Sequence, residues 1–114
     1  MTPEVGNTEW FAVQVRARWE QSTSQILSGK GYEILLATYE SGRKWGGRVR
    51  VIEAPLFPSY LFCRFDVWKR LPILVTPGVV GIVSRGRVPI AVEQSEISAI
   101  QAMTSGPAFY RGPM

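Results

Sequence analysis

The sequence predicts an α+β fold, an antiparallel four-stranded sheet flanked by about three helices with a basic β-hairpin inserted. Three observations predict it. Short runs rich in aromatic and β-branched residues recur between glycine and proline punctuation, as strands require. The stretches Ser22 to Ser28 and Glu93 onward have helical character instead. Between them, the polar, glycine-containing segment Glu40 to Ile52 gathers Arg43, Lys44, Arg48 and Arg50, with no acid among these four cations.

Trp10 to Val15 is the first strand by its aromatic and β-branched content. Ser22 to Ser28 is a short amphipathic helix, expected to turn Ile26 and Leu27 inward and to stop at Gly29 and Gly31. Tyr32 to Tyr39 is a second strand. Glu33 to Tyr39 and Arg48 to Glu53 are the expected arms of the hairpin, with Ser41, Gly42, Gly46 and Gly47 supplying its turns. Tyr60 to Phe65 is the most apolar strand and therefore central. Trp68 to Leu74 is read as a short helix limited by Pro72. Pro77 and Gly78 turn the chain into a strand at Val79 to Val83. Arg85, Gly86 and Arg87 form a basic loop before Val88 to Val92. Glu93 then opens the last helix, with acids near its positive end.

A chain of 114 residues, 46% of them hydrophobic, fits one folded domain with its own core. It has no apolar run of membrane-spanning length and no N-terminal signal pattern, so a soluble, cytoplasmic protein is expected. Cys63 is the lone cysteine, which excludes an internal disulfide. Its apolar strand favours a buried, inert thiol over a reactive one. Histidine is absent, so the usual zinc sites and His-based acid–base systems are excluded. With no phosphate-cradling glycine motif either, no catalytic residue, cofactor or metal is expected.

The net charge is +4, and ten of the thirteen cations are arginine. Arginine's planar fork suits phosphate, so nucleic acid is a plausible partner. The charge alone is weak evidence. Clustering strengthens it, because Arg43, Lys44, Arg48 and Arg50 lie close together with Trp45 between them. Phosphate contact plus stacking is one reading of that cluster, and a hairpin kept soluble by its charges is the other.

Ala54 to Asp66 reads APLFPSYLFCRFD, and ten residues later Thr76 to Val83 reads TPGVVGIV. Around them stand Trp10, Phe11 and Val13, the RARWE segment from Arg16 to Glu20, and Glu93 to Ile100. In this order and spacing they resemble the NusG-type transcription elongation and antitermination factors across residues 8–104. The resemblance implies that family's N-terminal (NGN) domain at 8–104, after an extension at 1–7. Residues 105–114 would be the start of a linker or a disordered tail. Relatives usually continue into a small β-barrel, the KOW domain. The polar ending favours a chain cut short of it over a natural single-domain form.

The same resemblance implies docking on the clamp helices of bacterial RNA polymerase and no catalytic role. It assigns Phe57, Pro58, Tyr60 and Phe62 to that surface, with Ile97 and Ile100 as further candidates. Tyr60 and Phe62 share a strand face, and Ile97 and Ile100 share a helix face. Pattern alone reads these residues as core. Gln14 departs from relatives that carry an aromatic contact there. Arg16, Arg18, Lys69, Arg70 and Thr76 match regions that approach the non-template DNA strand in relatives, with a solvated basic face as the alternative. RARWE and the RKW-containing hairpin resemble specialised antiterminators of polysaccharide operons more than the general factor. The rival readings are a free-standing RNA- or single-stranded-DNA-binding α+β module and a small-molecule sensor or enzyme.

Overall fold

The computed structural model describes residues 7–104 and 109–110, with backbone alone at 43–45 and 109–110. Strand β1, Thr8–Val15, is apolar on both faces and so must be covered on both. Trp10 and Ala12 point one way, while Phe11, Val13 and Val15 point the other. Its antiparallel neighbour is β5, Tyr60–Asp66, in a register that runs from Thr8 opposite Asp66 to Gln14 opposite Tyr60. β5 is central as expected, flanked on its other side by β2, Glu33–Leu35.

The remaining edge of β1 is shared. β6, Val79–Ile82, pairs with its C-terminal half, and β9, Ala91–Val92, pairs with Trp10 and Phe11. Strands β2, β5, β1 and β6 make the expected antiparallel four-stranded core of the sheet, which β9 and β10, Phe109–Tyr110, extend. Of the tail at 105–114, only this β10 backbone lies within the described residues.

Helices cover both faces. Helix α1, Glu20–Gly29, and the short α2, Leu71–Leu74, close one core, in which Leu27 and Ile73 meet Phe11, Val13, Leu61, Cys63 and Phe65. Helix α3, Gln94–Met103, closes the other by setting Ile97 against Trp10, Leu35 and Phe62. Burial of each Leu, Ile or Phe contributes about 1.5–3 kcal/mol. Phe11 and Phe65 stack obliquely across β1 and β5, with centroids 4.7 Å apart.

Four local expectations are corrected. Helix α1 buries Glu20, Thr23, Ser24 and Leu27, an i, i+3, i+4, i+7 stripe, and leaves Ile26 exposed. Its buried hydroxyls are satisfied, since Thr23 Oγ1 donates to the Pro77 carbonyl and Ser24 Oγ to the Gln21 carbonyl. The second run splits into β2 and β3, Thr38–Trp45, and β3 pairs with β4, Arg48–Pro55. Ser41 and Gly42 therefore lie within a strand, and Gly46 and Gly47 alone make the turn. Their φ values of 56° and 83° fit a primed hairpin turn.

Trp68 to Leu74 is also two pieces, a single 3-10 turn at Val67–Lys69 and then α2, with Pro72 in the first turn of α2. Val88 to Val92 breaks too. β8, Val88–Pro89, pairs with β7, Ser84–Arg85, in a small hairpin, and the chain then returns to β1 as β9.

Candidate functional site

The FPSY segment enters β5 through a turn anchored from three sides. The Tyr60 N–H donates to the Phe57 carbonyl, and Val15 N–H donates to the Ser59 carbonyl at 2.8 Å. Ser59 takes a left-handed φ of 69°, and its own N–H donates to Glu20 Oε2 at 2.9 Å. This turn leaves Pro58 and Tyr60 exposed and Phe57 half-buried. Phe57 packs edge-on against Phe62, with centroids 5.8 Å apart.

The six apolar candidates therefore divide by depth. Phe62 is 7% exposed and Ile97 is fully buried, so they form the floor with Trp10 and Leu35. Phe57 and Ile100 pack on the rim of that cluster, and Tyr60 stands outside it at 36% exposure. The Trp10 indole N–H donates to Gln94 Oε1, which fixes the start of α3 over the sheet. A single exposed patch of all six is not what forms. Pro58 and Tyr60 present a small exposed edge at the entry to β5, flanking the half-buried Phe57 that packs on buried Phe62.

The basic candidates fall into three groups. Arg16 and Arg18 leave β1 exposed, with Arg18 at a left-handed φ of 71°. Arg16 N–H donates to the Gly78 carbonyl, which holds the TPG turn beside this exit. Thr76 itself is buried at 2% exposure. Its hydroxyl donates to the Pro72 carbonyl and accepts from Lys30 Nζ at 2.8 Å, so it organises the turn and presents nothing to solvent.

Lys69 and Arg70 lie at the opposite end of β1, because Asp66 pairs with Thr8. Seven strand steps separate Thr8 from Val15, roughly 23 Å. The structure does not join Arg16 and Arg18 to Lys69 and Arg70 in one site.

The third group is the hairpin. The β3–β4 register sets positions 39, 41, 43 and 45 opposite 54, 52, 50 and 48. Pleating puts all eight on one face, so three arginine positions, Tyr39 and position 45 share it. Arg48 and Arg50 are exposed there, and Val49 and Val51 are exposed on the reverse face.

Cys63 lies in the core, and burial pushes its thiol well above the ordinary range. Tyr32 is raised as well, first by burial and then by the neighbouring Cys63. Among the described residues no cluster of His, Cys, Asp and Glu could hold a metal, and no helix is long and apolar enough to cross a membrane. Sequence reasoning missed Glu20, whose anchoring of Ser59 has no local signal. It also missed the exposure of Trp68, which sits in a segment too short for periodicity.

The class these features define is a two-faced α+β sheet module with an exposed aromatic edge and separate basic surfaces. The particular family follows from comparison. Residues 8–101 match the family model described as transcription termination factor nusG, and the chain belongs to this NusG family of transcription factors. The chain is similar to the transcription termination/antitermination protein NusG of Thermus thermophilus, with 27% identity over 81% of this chain and 59% of that protein. It thus spans about three-fifths of the length of that relative.

Proposed function

We propose that this domain docks on the clamp helices of bacterial RNA polymerase, stabilises the elongating state and suppresses pausing or termination. One observation carries the reading. In a NusG-family chain, half-buried Phe57 and Ile100 pack on a buried floor of Trp10, Phe62 and Ile97, and exposed Pro58 and Tyr60 stand next to Phe57 in the chain where it enters β5. An aromatic edge over a rigid apolar floor is the form of a binding hot spot, and Tyr60 adds a hydroxyl for the wet rim.

Arg16 and Arg18 beside the TPG turn, and Lys69 and Arg70 at the far end of β1, supply guanidinium and ammonium groups for the non-template strand. Arg48 and Arg50 reach upstream nucleic acid from the hairpin. The factor makes and breaks no bond. It binds the closed, elongation-competent clamp more tightly than the open, paused one and so shifts their populations. Each 1.4 kcal/mol of that preference is worth about tenfold in the ratio. RARWE and the basic hairpin support a specialised antiterminator acting in the cytoplasm.

The test is binding to purified polymerase, to an isolated clamp-helix fragment and to polymerase lacking those helices. Binding to the fragment, lost with the deletion, supports the reading. Binding to neither, with retained affinity for oligonucleotides, would transfer the function to a free-standing nucleic-acid module.

A further inference from the structure

We propose that the cavity between the root of the β3–β4 hairpin and the start of α1 binds a guanidinium group, carried by a partner protein's arginine side chain or by a small free molecule. Strand register builds one wall. Thr38 pairs with Pro55 and Glu40 with Glu53, so pleating sets all four on one face of the hairpin. Leu36 reaches up from the core, and Arg18, Glu20 and Gln21 at the β1–α1 junction close the other side.

Two independent observations call for a cation there. Thr38 lines the cavity at 8% exposure, and its Oγ1 is the one buried side-chain polar atom among the described residues with no hydrogen-bond partner. A hydroxyl in that state costs stability until something bonds it. Glu40 and Glu53 stand directly opposite each other across the strands, a like-charge pair that destabilises a hairpin. Among the described residues neither carboxylate forms an ion pair. Glu20 adds a third, since Oε2 accepts the Ser59 N–H and Oε1 is left for the cavity. Three acids against Arg18 make this corner negative in a chain of net charge +4.

Size and walls select the kind of cation. The cavity has a volume of about 170 Å³. That is several times the roughly 30 Å³ of one water and below the roughly 300–1,000 Å³ of sites for drug-sized ligands. Among the described residues no cluster of His, Cys, Asp and Glu could hold a metal, so an organic cation meets the charge. A planar guanidinium offers paired N–H donors to carboxylates, and its weakly hydrated faces suit Leu36 and Pro55. Exposed Val51 and Val49 continue the same hairpin face beyond Glu53, an apolar track for the residues that flank a partner's arginine. The site uses neither the Tyr60 edge nor the hairpin arginines, and it does not depend on the polymerase reading.

The test is an amide NMR titration of the 114-residue chain with N-acetylargininamide, with its uncharged counterpart N-acetylcitrullinamide, and with the blocked tripeptide valyl-arginyl-valine. The arginine amide is expected to shift the amides of Gln21, Thr38 and Glu53, and the citrulline amide to leave them in place. Glu53→Gln weakens binding by roughly ten- to hundredfold, the range for a hydrogen bond to a charged group. Thr38→Val keeps the side chain's shape and removes the unbonded hydroxyl, so it raises the thermal midpoint while it weakens binding, a combination that a merely structural hydroxyl does not give. Tighter binding of the tripeptide than of the arginine amide assigns the site to a partner's side chain, and equal affinity assigns it to a small free molecule. The titration contains no polymerase and no nucleic acid, so failure of the polymerase reading is distinguishable. No localised shifts with the arginine amide, equal shifts with the citrulline amide, or parental affinity in both Thr38→Val and Glu53→Gln overturns the proposal and leaves the cavity to water.

Discussion

Glu20 Oε2 accepts the Ser59 backbone N–H at 2.9 Å, so the first turn of α1 holds the turn that presents Tyr60. The Ser59 carbonyl is held from the same side by Val15 N–H, and Ser59 itself keeps an unfavourable left-handed φ. Two hydrogen bonds from the β1–α1 segment thus impose a strained backbone next to the proposed docking edge.

Glu20→Ala therefore acts on both stability and recognition. A hydrogen bond to a charged group is worth about 1.5–3 kcal/mol, and Glu20 is only 7% exposed. The expected result is a thermal midpoint lower by several degrees, together with weaker polymerase binding measured where the variant is fully folded. Parental stability and affinity would refute this role for Glu20.

Tyr60 and Ile97 separate surface from floor. Ile97→Ala opens a cavity beneath α3 and is expected to cost about 2–5 kcal/mol, read from urea unfolding. Tyr60→Ala removes a side chain that is 36% exposed, so it costs less stability and more polymerase affinity. If Tyr60→Ala unfolds the domain as readily as Ile97→Ala, Tyr60 is core.

The strands were legible because β1 and β5 need apolar residues on both faces, and Leu61 to Phe65 announces that in five letters. The hairpin was legible by its glycines and arginines, although Ser41 and Gly42 were misassigned because Gly46 and Gly47 alone meet the positive φ of the turn. Helix α1 was harder. Its buried stripe runs through Thr23 and Ser24, whose polarity hides burial from any apolar count. The site was legible in composition but not in depth. Alternation pairs Tyr60 with Phe62, yet α3 covers one and leaves the other out, a tertiary fact. Thr76 matches a region that approaches the non-template strand in relatives, yet its hydroxyl is consumed by Pro72 and Lys30.

Gly78 tests the TPG turn. Its φ is 92°, and a Cβ built there meets Thr23 Oγ1 and lies 2.9 Å from Trp19 Cε3. Gly78→Ala combines left-handed strain with two clashes against α1, so a loss of more than about 1 kcal/mol is expected. The shift also displaces the Gly78 carbonyl that accepts Arg16 N–H. Equilibrium unfolding measures the cost, and a neutral Gly78→Ala would show that the turn is free to move away from α1.

Cys63 predicts an alkaline limit to stability. Burial raises its thiol, so the native state keeps its proton where the unfolded chain, titrating near about 8.5, loses it. The unfolded state then binds fewer protons than the native state. Stability from this group is complete below about pH 8.5 and falls above it, by up to about 1.4 kcal/mol per pH unit. Urea unfolding from pH 7 to 10 is expected to be flat and then to decline, with a shallower decline in Cys63→Ala. Tyr32, raised in the same direction, adds its own loss only at higher pH. Thiol labelling gives an independent check, since the buried Cys63 should react slowly in the native chain and quickly in urea. Identical alkaline slopes for the parent and Cys63→Ala, or rapid native labelling, would contradict a buried neutral thiol.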